Sequence, residues 1–344
     1  MTQPRIAVVG TGANGAAIGA DMVRAGLDVT FVEQWPAHVE AMRADGLLVR
    51  SPDGSEERTE VNALHLCEVA TLREPFDVVF LGVKAYDTRW VCELIKPLVA
   101  ADGVVCGLQN GMTIDDVASI VGPERTVGAV IEIAGNMFEP GIVNRQTGRA
   151  GTWFAVGAFE APANERVEQV ATLLRHAGRC EVRDDIRSAK WMKLVANAAE
   201  MVPSAVLNAT LVGSLKAPGM RAVMDAAGTE ALEAALAAGC RIVPIFGQDG
   251  IEDTPPEQYA AALLDAVLSG WSLEDTRVTV LQDWMKGRRA EGEEIHGLVV
   301  DVLTRAGRDA PYNALMLDLA RKIESGELEA GEDNAALMVG VVPD

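Results

Sequence analysis

The chain has 344 residues, of which 49% are hydrophobic, and a formal net charge of −20 at pH 7. This length accommodates two domains. The negative charge repels nucleic acids and anionic membrane surfaces, so we expect neither as a partner. The five cysteines lack disulfide-framework or metal-site spacing, and no metal-ligand cluster is evident. No signal peptide or membrane-length apolar run is recognisable, and we expect a soluble, cytoplasmic protein.

A glycine-rich turn directly follows the first predicted strand, residues 6–9. Gly10 would permit a tight turn, Gly12 a close approach to a pyrophosphate, and Gly15 close packing of the next helix on the strand. The new helix N-terminus would present free N–H groups and a positive dipole end to the phosphates. The pattern predicts a dinucleotide site, the alternative being a structural turn without a ligand. The predicted cofactor-binding residues of the turn are Gly10, Gly12, Ala13, Asn14 and Gly15.

The identity of the cofactor is predicted from the end of the second strand, residues 28–32, which Glu33 follows. A carboxylate at this spacing accepts a hydrogen bond from a ribose 2′-hydroxyl and repels a 2′-phosphate. Gln34 and Trp35 supply no cation to offset that repulsion. We therefore expect NAD, with NADP as the alternative. The argument requires that Glu33 does not simply point into solvent.

Strands and helices alternate over residues 1–125, which predicts a mostly parallel sheet with helices on both faces. Short extended runs over residues 126–183 predict an antiparallel or mixed extension of the same sheet. Lys84 and Asn110 each follow a predicted buried strand. Ligands of such sheets lie beyond the carboxyl ends of the strands, so we expect both residues and the glycine turn to meet in one crevice.

From residue 188 onward the periodicity is helical. The sequence therefore predicts an α/β fold with an N-terminal Rossmann-type dinucleotide-binding domain, residues 1–185, and a C-terminal all-α domain, residues 186–330. A tail, residues 331–344, ends the chain, and the pattern leaves its place in the fold open. The helical domain, rich in Ala, Leu and Met, could supply the face of a homodimer.

Lys193 and Asn197 are four residues apart and would share one face of a helix, on which Glu200 can also lie. A polar stripe on an apolar helix is costly to bury without partners or a ligand. An ammonium beside a nicotinamide could protonate a forming alkoxide, and an amide could orient the same oxygen. The alternative is a solvated surface lysine with an asparagine bonded to the backbone.

A second polar cluster spans residues 277–297. Thr279 and Glu291 could reach a shared site only if a helix break near Gly287 brings them together. Without that break, the segment would be a helical hairpin with an ordinary charged face. His296 is a candidate general base, although a lone histidine is more often structural.

Six motifs occur in order between residues 5 and 328: Gly10-x-Gly12-x-x-Gly15, Val83-Lys84-Ala85, Gln109-Asn110-Gly111-Met112, Lys190-Trp191-x-Lys193-Leu194-x-x-Asn197, Leu281-Gln282-Asp283 with Gly287-Arg288 and Glu291, and Pro311-Tyr312-Asn313. Together they resemble the ketopantoate reductase (2-dehydropantoate 2-reductase) family. The resemblance implies a Rossmann domain joined to a helical domain, with the active site between them. It implies reduction of a 2-keto acid to a 2-hydroxy acid, usually with NADPH, as in pantothenate biosynthesis.

The resemblance also implies roles for single residues. Lys193 corresponds to the catalytic lysine that gives a proton to the carbonyl oxygen, and Asn197 to its substrate-binding neighbour. Glu291 corresponds to the acid that helps to hold the active-site helices. Lys84 and Asn110 correspond to residues on the cofactor side, and we also expect Asn110 at the substrate.

The chain departs from the family mainly where the substrate binds. Met201 replaces an asparagine one turn beyond Asn197, and Thr279 replaces a serine; both are predicted substrate-binding positions. Thr276 and His296 stand where the family commonly has asparagine. Gln34 stands where the family often has an arginine for the 2′-phosphate. A pocket that loses an amide becomes more apolar, and its substrate preference can change by orders of magnitude.

Four functions follow from this pattern. The first is a nicotinamide-dependent reductase of ketopantoate or a related 2-keto acid. The second is an NAD-linked 2-hydroxy acid dehydrogenase that acts on a branched or aromatic substrate. The third is an NAD(P)-sensing protein that has kept the fold and lost the chemistry, which the presence of Lys193, Asn197 and Glu291 disfavours. The fourth is a reductive condensation of a keto acid with an amine.

Overall fold

The chain folds into two compact units, residues 1–187 and 188–344, in a computed structural model that describes residues 3–160, 162–248, 250–270 and 272–340. The sequence predicts this division at 185/186. The first unit contains both β-sheets. The described part of the second unit is helical apart from an isolated bridge between Ile245 and Gln248. The predicted fold class, an α/β fold with a helical second domain, is confirmed.

The first unit is built on an eight-stranded sheet with the order β12-β11-β8-β7-β6-β1-β2-β5. Neighbouring strands are parallel except for the antiparallel pair β8 and β11. The strands of this unit are β1 Arg5–Val9, β2 Asp28–Glu33, β3 Leu47–Arg50, β4 Glu56–Thr59, β5 Asn62–His65, β6 Phe76–Leu81, β7 Val99–Gly107, β8 Thr126–Glu132, β9 Gly135–Glu139, β10 Ile142–Arg145, β11 Trp153–Ala158 and β12 Arg179–Val182.

Both faces of the large sheet are buried. Along β1, Ile6 and Val8 belong to one apolar core, whereas Ala7 and Val9 belong to a second core on the opposite face. A strand whose side chains are buried alternately on both faces is typical of a parallel sheet covered by helices. The helices of this unit are α1 Ala13–Arg24, α2 Pro36–Asp45, α3 Thr88–Ile95, α4 Ile114–Val121 and α5 Glu165–Leu174.

The predicted single extended sheet is wrong in one respect. The strands β9 and β10 leave the large sheet and form a separate four-stranded sheet with the order β4-β3-β10-β9. The hairpin that joins β9 to β10 turns at Gly141, with φ +75°, and β10 then pairs in parallel with β3, which lies far earlier in the chain. Short strands do not specify such a distant partner through their own side-chain pattern.

The second unit begins within a long helix, α6 Ile186–Val206. The described part of the tail, residues 331–340, is joined to the end of α6, because the Val206 carbonyl accepts hydrogen bonds from Gly331 N and Asn334 Nδ2. Residues 341–344 of the predicted tail lie outside the described residues. No helix among the described residues is both long and apolar enough to cross a membrane. The remaining helices are α7 Leu211–Ser214, α8 Met220–Ala237, α9 Pro256–Gly270, α10 Thr279–Met285, α11 Leu298–Arg305, α12 Pro311–Ser325 and α13 Ala335–Val339, with a π-helix at Glu293–Gly297.

Candidate active site

The glycine turn joins β1 to α1, as the sequence predicts, and its three glycines have different surroundings. Gly10 has φ +87°, and a Cβ on it would lie 2.5 Å from the Val83 nitrogen. A Cβ on Gly15 would lie 2.4 Å from the Gly10 carbonyl oxygen. A Cβ on Gly12 would meet nothing within 4 Å. The protein's own packing therefore requires Gly10 and Gly15, whereas Gly12 keeps open the space that a pyrophosphate would fill.

The N-terminus of α1 lies beside this open space. Ala13 and Asn14 form its first turn, and no side chain caps it. The Asn14 Oδ1 atom is buried and has no hydrogen-bond partner among the described residues. Free backbone N–H groups at a helix N-terminus suit the phosphates of a dinucleotide, and the Asn14 amide oxygen can accept a hydrogen bond from one of its donors.

Glu33 is fixed within the fold and does not point into solvent, so that alternative is wrong. Its side chain is buried, and Oε2 accepts hydrogen bonds from Thr11 N at 2.7 Å and Thr11 Oγ1 at 3.0 Å. The other oxygen, Oε1, accepts from Trp35 N at 2.9 Å. Because a carboxylate offers about four acceptor positions, a position remains for a ribose hydroxyl.

His38 supports the same turn, and sequence reasoning missed it. Its Nδ1 accepts a hydrogen bond from Gly141 N at 2.8 Å, so Nε2 carries the proton and donates to the Thr11 carbonyl at 3.0 Å. Burial lowers the pKa of His38, although the Glu33 charge and the bond to Thr11 oppose the shift. Thr11, inside the glycine turn, is therefore held through its N–H by Glu33 and through its carbonyl by His38. No local pattern signals these contacts, because His38 meets Gly141 more than 100 residues away.

Lys84 and Asn110 lie at the same edge of the sheet as the glycine turn. The ladder of backbone hydrogen bonds continues just past the strands, with Gly10 N to Val32 O, Gly82 N to Val9 O and Leu108 N to Leu81 O, each at 2.8–2.9 Å. The loops that carry these residues therefore follow adjacent strands. Both side chains are half-buried. The predicted cofactor residues of the first unit therefore lie in loops at one edge of the sheet.

In the second unit, α6 carries the predicted catalytic pair. Lys193 and Asn197 are both buried, so the predicted alternative of a solvated lysine is wrong. The Nδ2 and Oδ1 atoms of Asn197 have no hydrogen-bond partner within the described ranges, so the alternative of a backbone-bonded asparagine is not observed either. Leaving a buried amide unpaired lowers the stability of the folded protein by about 1–3 kcal/mol. Because this amide is already unpaired, it can bind a ligand without breaking a hydrogen bond within the protein.

Met201 and Thr279, the two predicted substrate-binding positions at which the chain departs from the family, lie in contact. The Thr279 hydroxyl, at the start of α10, donates to the Met201 sulfur on α6 at 3.7 Å. Met201 is buried and Thr279 is half-buried. The replacement of an asparagine by methionine thus leaves a thioether beside the hydroxyl, which makes this part of the unit less polar.

The predicted helix break is present. The helix α10 ends at Met285, and Gly287 follows with φ +64°. Glu291 is buried next to the π-helix, and its carbonyl accepts from Ile295 N at 3.1 Å. A π-helix within an α-helical segment is frequently found at functional sites. Thr279 and Glu291 are therefore on opposite sides of a turn, not on one helix face.

His296 belongs to a buried structural network. Asn313 Nδ2 donates to Glu230 Oε2 at 2.8 Å and to the Ala227 carbonyl at 3.0 Å, so its Oδ1 is free to accept from His296 Nδ1 at 2.7 Å. Burial lowers the pKa of His296 to about 4, although the bond to Asn313 opposes the shift. A neutral histidine that ties the π-helix to α12 and α8 fits the structural interpretation better than that of a general base.

Sequence reasoning also missed Phe246, whose ring centroid lies 4.8 Å from Lys193 Nζ. The segment between α8 and α9 brings this buried ring to the lysine.

Comparisons with known proteins identify the family of the chain. Two family models match the chain, described as "Ketopantoate reductase PanE/ApbA" over residues 6–158 and "Ketopantoate reductase PanE/ApbA C terminal" over residues 185–324. The 2-dehydropantoate 2-reductase of Archaeoglobus fulgidus is 29% identical over 330 residues, which are 95% of this chain and 100% of that protein.

Solved structures share the fold of this chain. The crystal structure of a PanE/ApbA family ketopantoate reductase from Ralstonia eutropha JMP134 has a TM-score of 0.78 and 26% identity, covering 94% of this chain and 99% of that chain. The ternary structure of D-mandelate dehydrogenase with NADH and anilino(oxo)acetate has a TM-score of 0.80 over the same shares, at 18% identity. The second likeness concerns the fold alone.

Proposed function

Because the chain belongs to the ketopantoate reductase family, we propose that it reduces a 2-keto acid to a 2-hydroxy acid with a nicotinamide cofactor and Lys193 as proton donor. One observation carries this proposal. A buried ammonium, Lys193, and a buried amide without a partner among the described residues, Asn197, lie one turn apart on α6. A buried amide without a partner is typical of a site that a ligand completes, and the Lys193 ammonium lies one helical turn from it.

The chemistry assigned to these residues is simple. When bound, a reduced nicotinamide would supply a hydride to C2 of the keto acid, and the electron pair of the C=O bond would move to oxygen. The Lys193 ammonium donates a proton to that oxygen, which becomes the hydroxyl, and the lysine is left as a neutral amine. Asn197 Nδ2 donates a hydrogen bond to the same oxygen and stabilises its developing charge.

The remaining roles rest on the family resemblance and on placement. Lys84 and Asn110 are assigned to the cofactor, since they lie at the edge of the sheet where the glycine turn is open at Gly12. Asn110 is also assigned to the substrate. Glu291 is assigned to the catalytic group, and its burial beside the π-helix supports a role in holding that segment.

For the cofactor, we propose NAD over NADP. Three N–H and O–H donors hold the Glu33 carboxylate at the end of β2, and a fixed negative charge there disfavours a 2′-phosphate. Gln34, next to it, brings no cation. These observations support recognition of a free ribose hydroxyl.

For the substrate, ketopantoate or a related 2-keto acid is the first candidate, and a branched or aromatic acid is the second. The contact between Met201 and Thr279 favours the second, because a thioether replaces an amide that would hydrogen-bond a polar substrate group. In that case the protein would act as an NAD-linked 2-hydroxy acid dehydrogenase.

A homodimer formed through the helical unit remains part of the proposal. Light scattering separates the mass of one 36.5 kDa chain from that of a dimer.

The test of function is the decay of nicotinamide absorbance with purified protein. NADH and NADPH are compared in parallel against ketopantoate and a panel of branched and aromatic 2-keto acids, with the matching 2-hydroxy acids and NAD⁺ for the reverse direction. Turnover with NADH is expected. Binding of NADH without turnover of any acid in either direction would contradict the enzyme and favour the sensor.

A further inference from the structure

Phe246 occupies a backbone conformation that aromatic residues rarely adopt. It has φ +61°, and Gly247 after it has φ +66°. Gln248 N donates to the Ile245 carbonyl at 3.1 Å, so residues 245–248 form a tight turn with two consecutive positive φ angles, as in type I′. Such positions favour Gly, Asn and Asp. The other non-glycine residue with positive φ in the described ranges is Asn208, which belongs to that group.

The ring placed by this turn lies against a charged atom. Its centroid is 4.8 Å from Lys193 Nζ, within the distance at which an aromatic face attracts an ammonium. Phe246 is 4% exposed and Lys193 is 9% exposed. Water therefore screens the contact little.

An ordinary packing role does not explain both features. A core position can be filled by a residue in a relaxed backbone, whereas strained conformations persist mainly where they serve a site. Here the strain directs a π face to the atom that the proposed function uses as proton donor.

We infer that Phe246 is a positioning residue for the proton donor. Its ring holds the Lys193 ammonium in one place, so that the proton faces the substrate oxygen. The inference rests on the proposed function, in which Lys193 donates the proton. It adds a residue from the α8–α9 connection to the site on α6.

Two substitutions separate this role from packing. Phe246→Leu keeps an apolar side chain and removes the π face, whereas Phe246→Tyr keeps the π face. If Phe246→Leu does not fold, Phe246→Met serves in its place. Thermal unfolding and the Kd for NADH establish that each variant is intact.

The first measurement does not depend on activity. In protein labelled with ¹³C at lysine Cε, the ring current of Phe246 should shift the Lys193 ε-methylene protons upfield, and Lys193→Ala identifies their signal. We expect the shift in the wild type and in Phe246→Tyr, and its loss in Phe246→Leu. A signal at the same position in the wild type and in Phe246→Leu would overturn the contact.

The second measurement is steady-state kinetics with the best keto acid. We expect Phe246→Leu to lower kcat by about tenfold with little change in KM, since a contact of this type is worth roughly one such factor. Phe246→Tyr should retain the wild-type kcat. An intact Phe246→Leu variant with wild-type kcat would overturn the inference.

Lys193→Ala, measured in parallel, separates the two possible failures. If Lys193→Ala loses activity and Phe246→Leu does not, the positioning role fails and the proposed function stands. If Lys193→Ala retains wild-type kcat, the proposed role of Lys193 fails, and the positioning role fails with it.

Discussion

At the scale of single residues, the glycine turn is held from both sides. Glu33 accepts the Thr11 N–H, and His38 donates to the Thr11 carbonyl. Glu33, to which we assign the choice of cofactor, therefore also stabilises the glycine turn that would face the phosphates. A change at Glu33 should alter both the affinity for the cofactor and the choice between cofactors.

We expect Glu33→Gln to narrow the preference for NADH over NADPH. The amide is isosteric, but it removes the negative charge and one of the two carboxylate oxygens, so either Thr11 or Trp35 N loses its acceptor, and the Kd for NADH should rise by about tenfold. Titration of nicotinamide fluorescence measures the Kd for NADH and the Kd for NADPH. Gln34→Arg is the matched variant, since it adds the family's cation without disturbing Thr11, and it should improve NADPH binding. An unchanged ratio in both variants would show that Glu33 does not choose the cofactor.

His296 makes stability depend on pH in a predictable direction. Its folded-state pKa, about 4, lies below the ordinary value of 6.5, so the unfolded chain binds the extra proton between these values. Stability is therefore complete above pH 6.5 and falls as the pH is lowered towards 4, by up to about 3 kcal/mol.

His296→Asn is the control for this pH dependence, because asparagine is the family's residue and does not titrate. Urea denaturation gives the free energy of unfolding of the wild type and of His296→Asn at each pH. As the pH falls from 6.5 to 4, the wild type should lose more of this free energy than the variant does. A difference that is constant over this range would show that His296 is not buried in its neutral form.

At the scale of elements, α6 combines an apolar face for packing with a polar group that packing does not use. Asn197 has no partner for either side-chain polar atom among the described residues. An unpaired buried amide lowers the stability of the free protein and forms its hydrogen bonds only when a ligand binds. Stability and activity should therefore respond to its removal in opposite directions.

Asn197→Leu tests this opposition. The side chains are of similar size, so the variant should be as stable as the wild type or more stable, while kcat/KM falls by about 10²-fold or more. Differential scanning calorimetry and steady-state kinetics give the two quantities. A variant that is both strongly destabilised and fully active would mean that Asn197 serves the fold.

Elements with strong local signals were predictable from the sequence. The strand, glycine turn, helix and second strand up to Glu33 follow from the spacing of apolar residues and glycines, and the edge of the sheet that holds Lys84 and Asn110 follows from strand polarity. The small sheet was not predictable. Its strands β3 and β10 pair across about 90 residues of chain, and short strands carry no information on so distant a partner.

In the proposed site, too, the residues that are close in sequence were predictable, whereas those that meet through distant contacts were not. Lys193 and Asn197 share a helix face, so their spacing alone brings them together. Phe246 and His38 act through contacts with residues far along the chain, and neither lies in a recognisable motif. Their roles depend on tertiary structure that a single sequence does not encode locally.

At the scale of the whole molecule, the two units supply different parts of one proposed reaction. The first unit carries the glycine turn and Glu33, and the second carries Lys193, Asn197 and the Met201–Thr279 contact. The two family models likewise match one unit each, over residues 6–158 and 185–324. The account therefore predicts that cofactor binding and proton donation are separable by mutation.

The most direct test of the central claim is the kcat of Lys193→Met beside its affinity for NADH. Methionine keeps the length and the apolar stem of lysine and removes the proton donor. The account predicts a loss in kcat of about 10²–10⁴-fold, while the Kd for NADH stays at the wild-type value. A Lys193→Met enzyme whose kcat remains within a few-fold of the wild type would contradict the assignment of Lys193 as the proton donor.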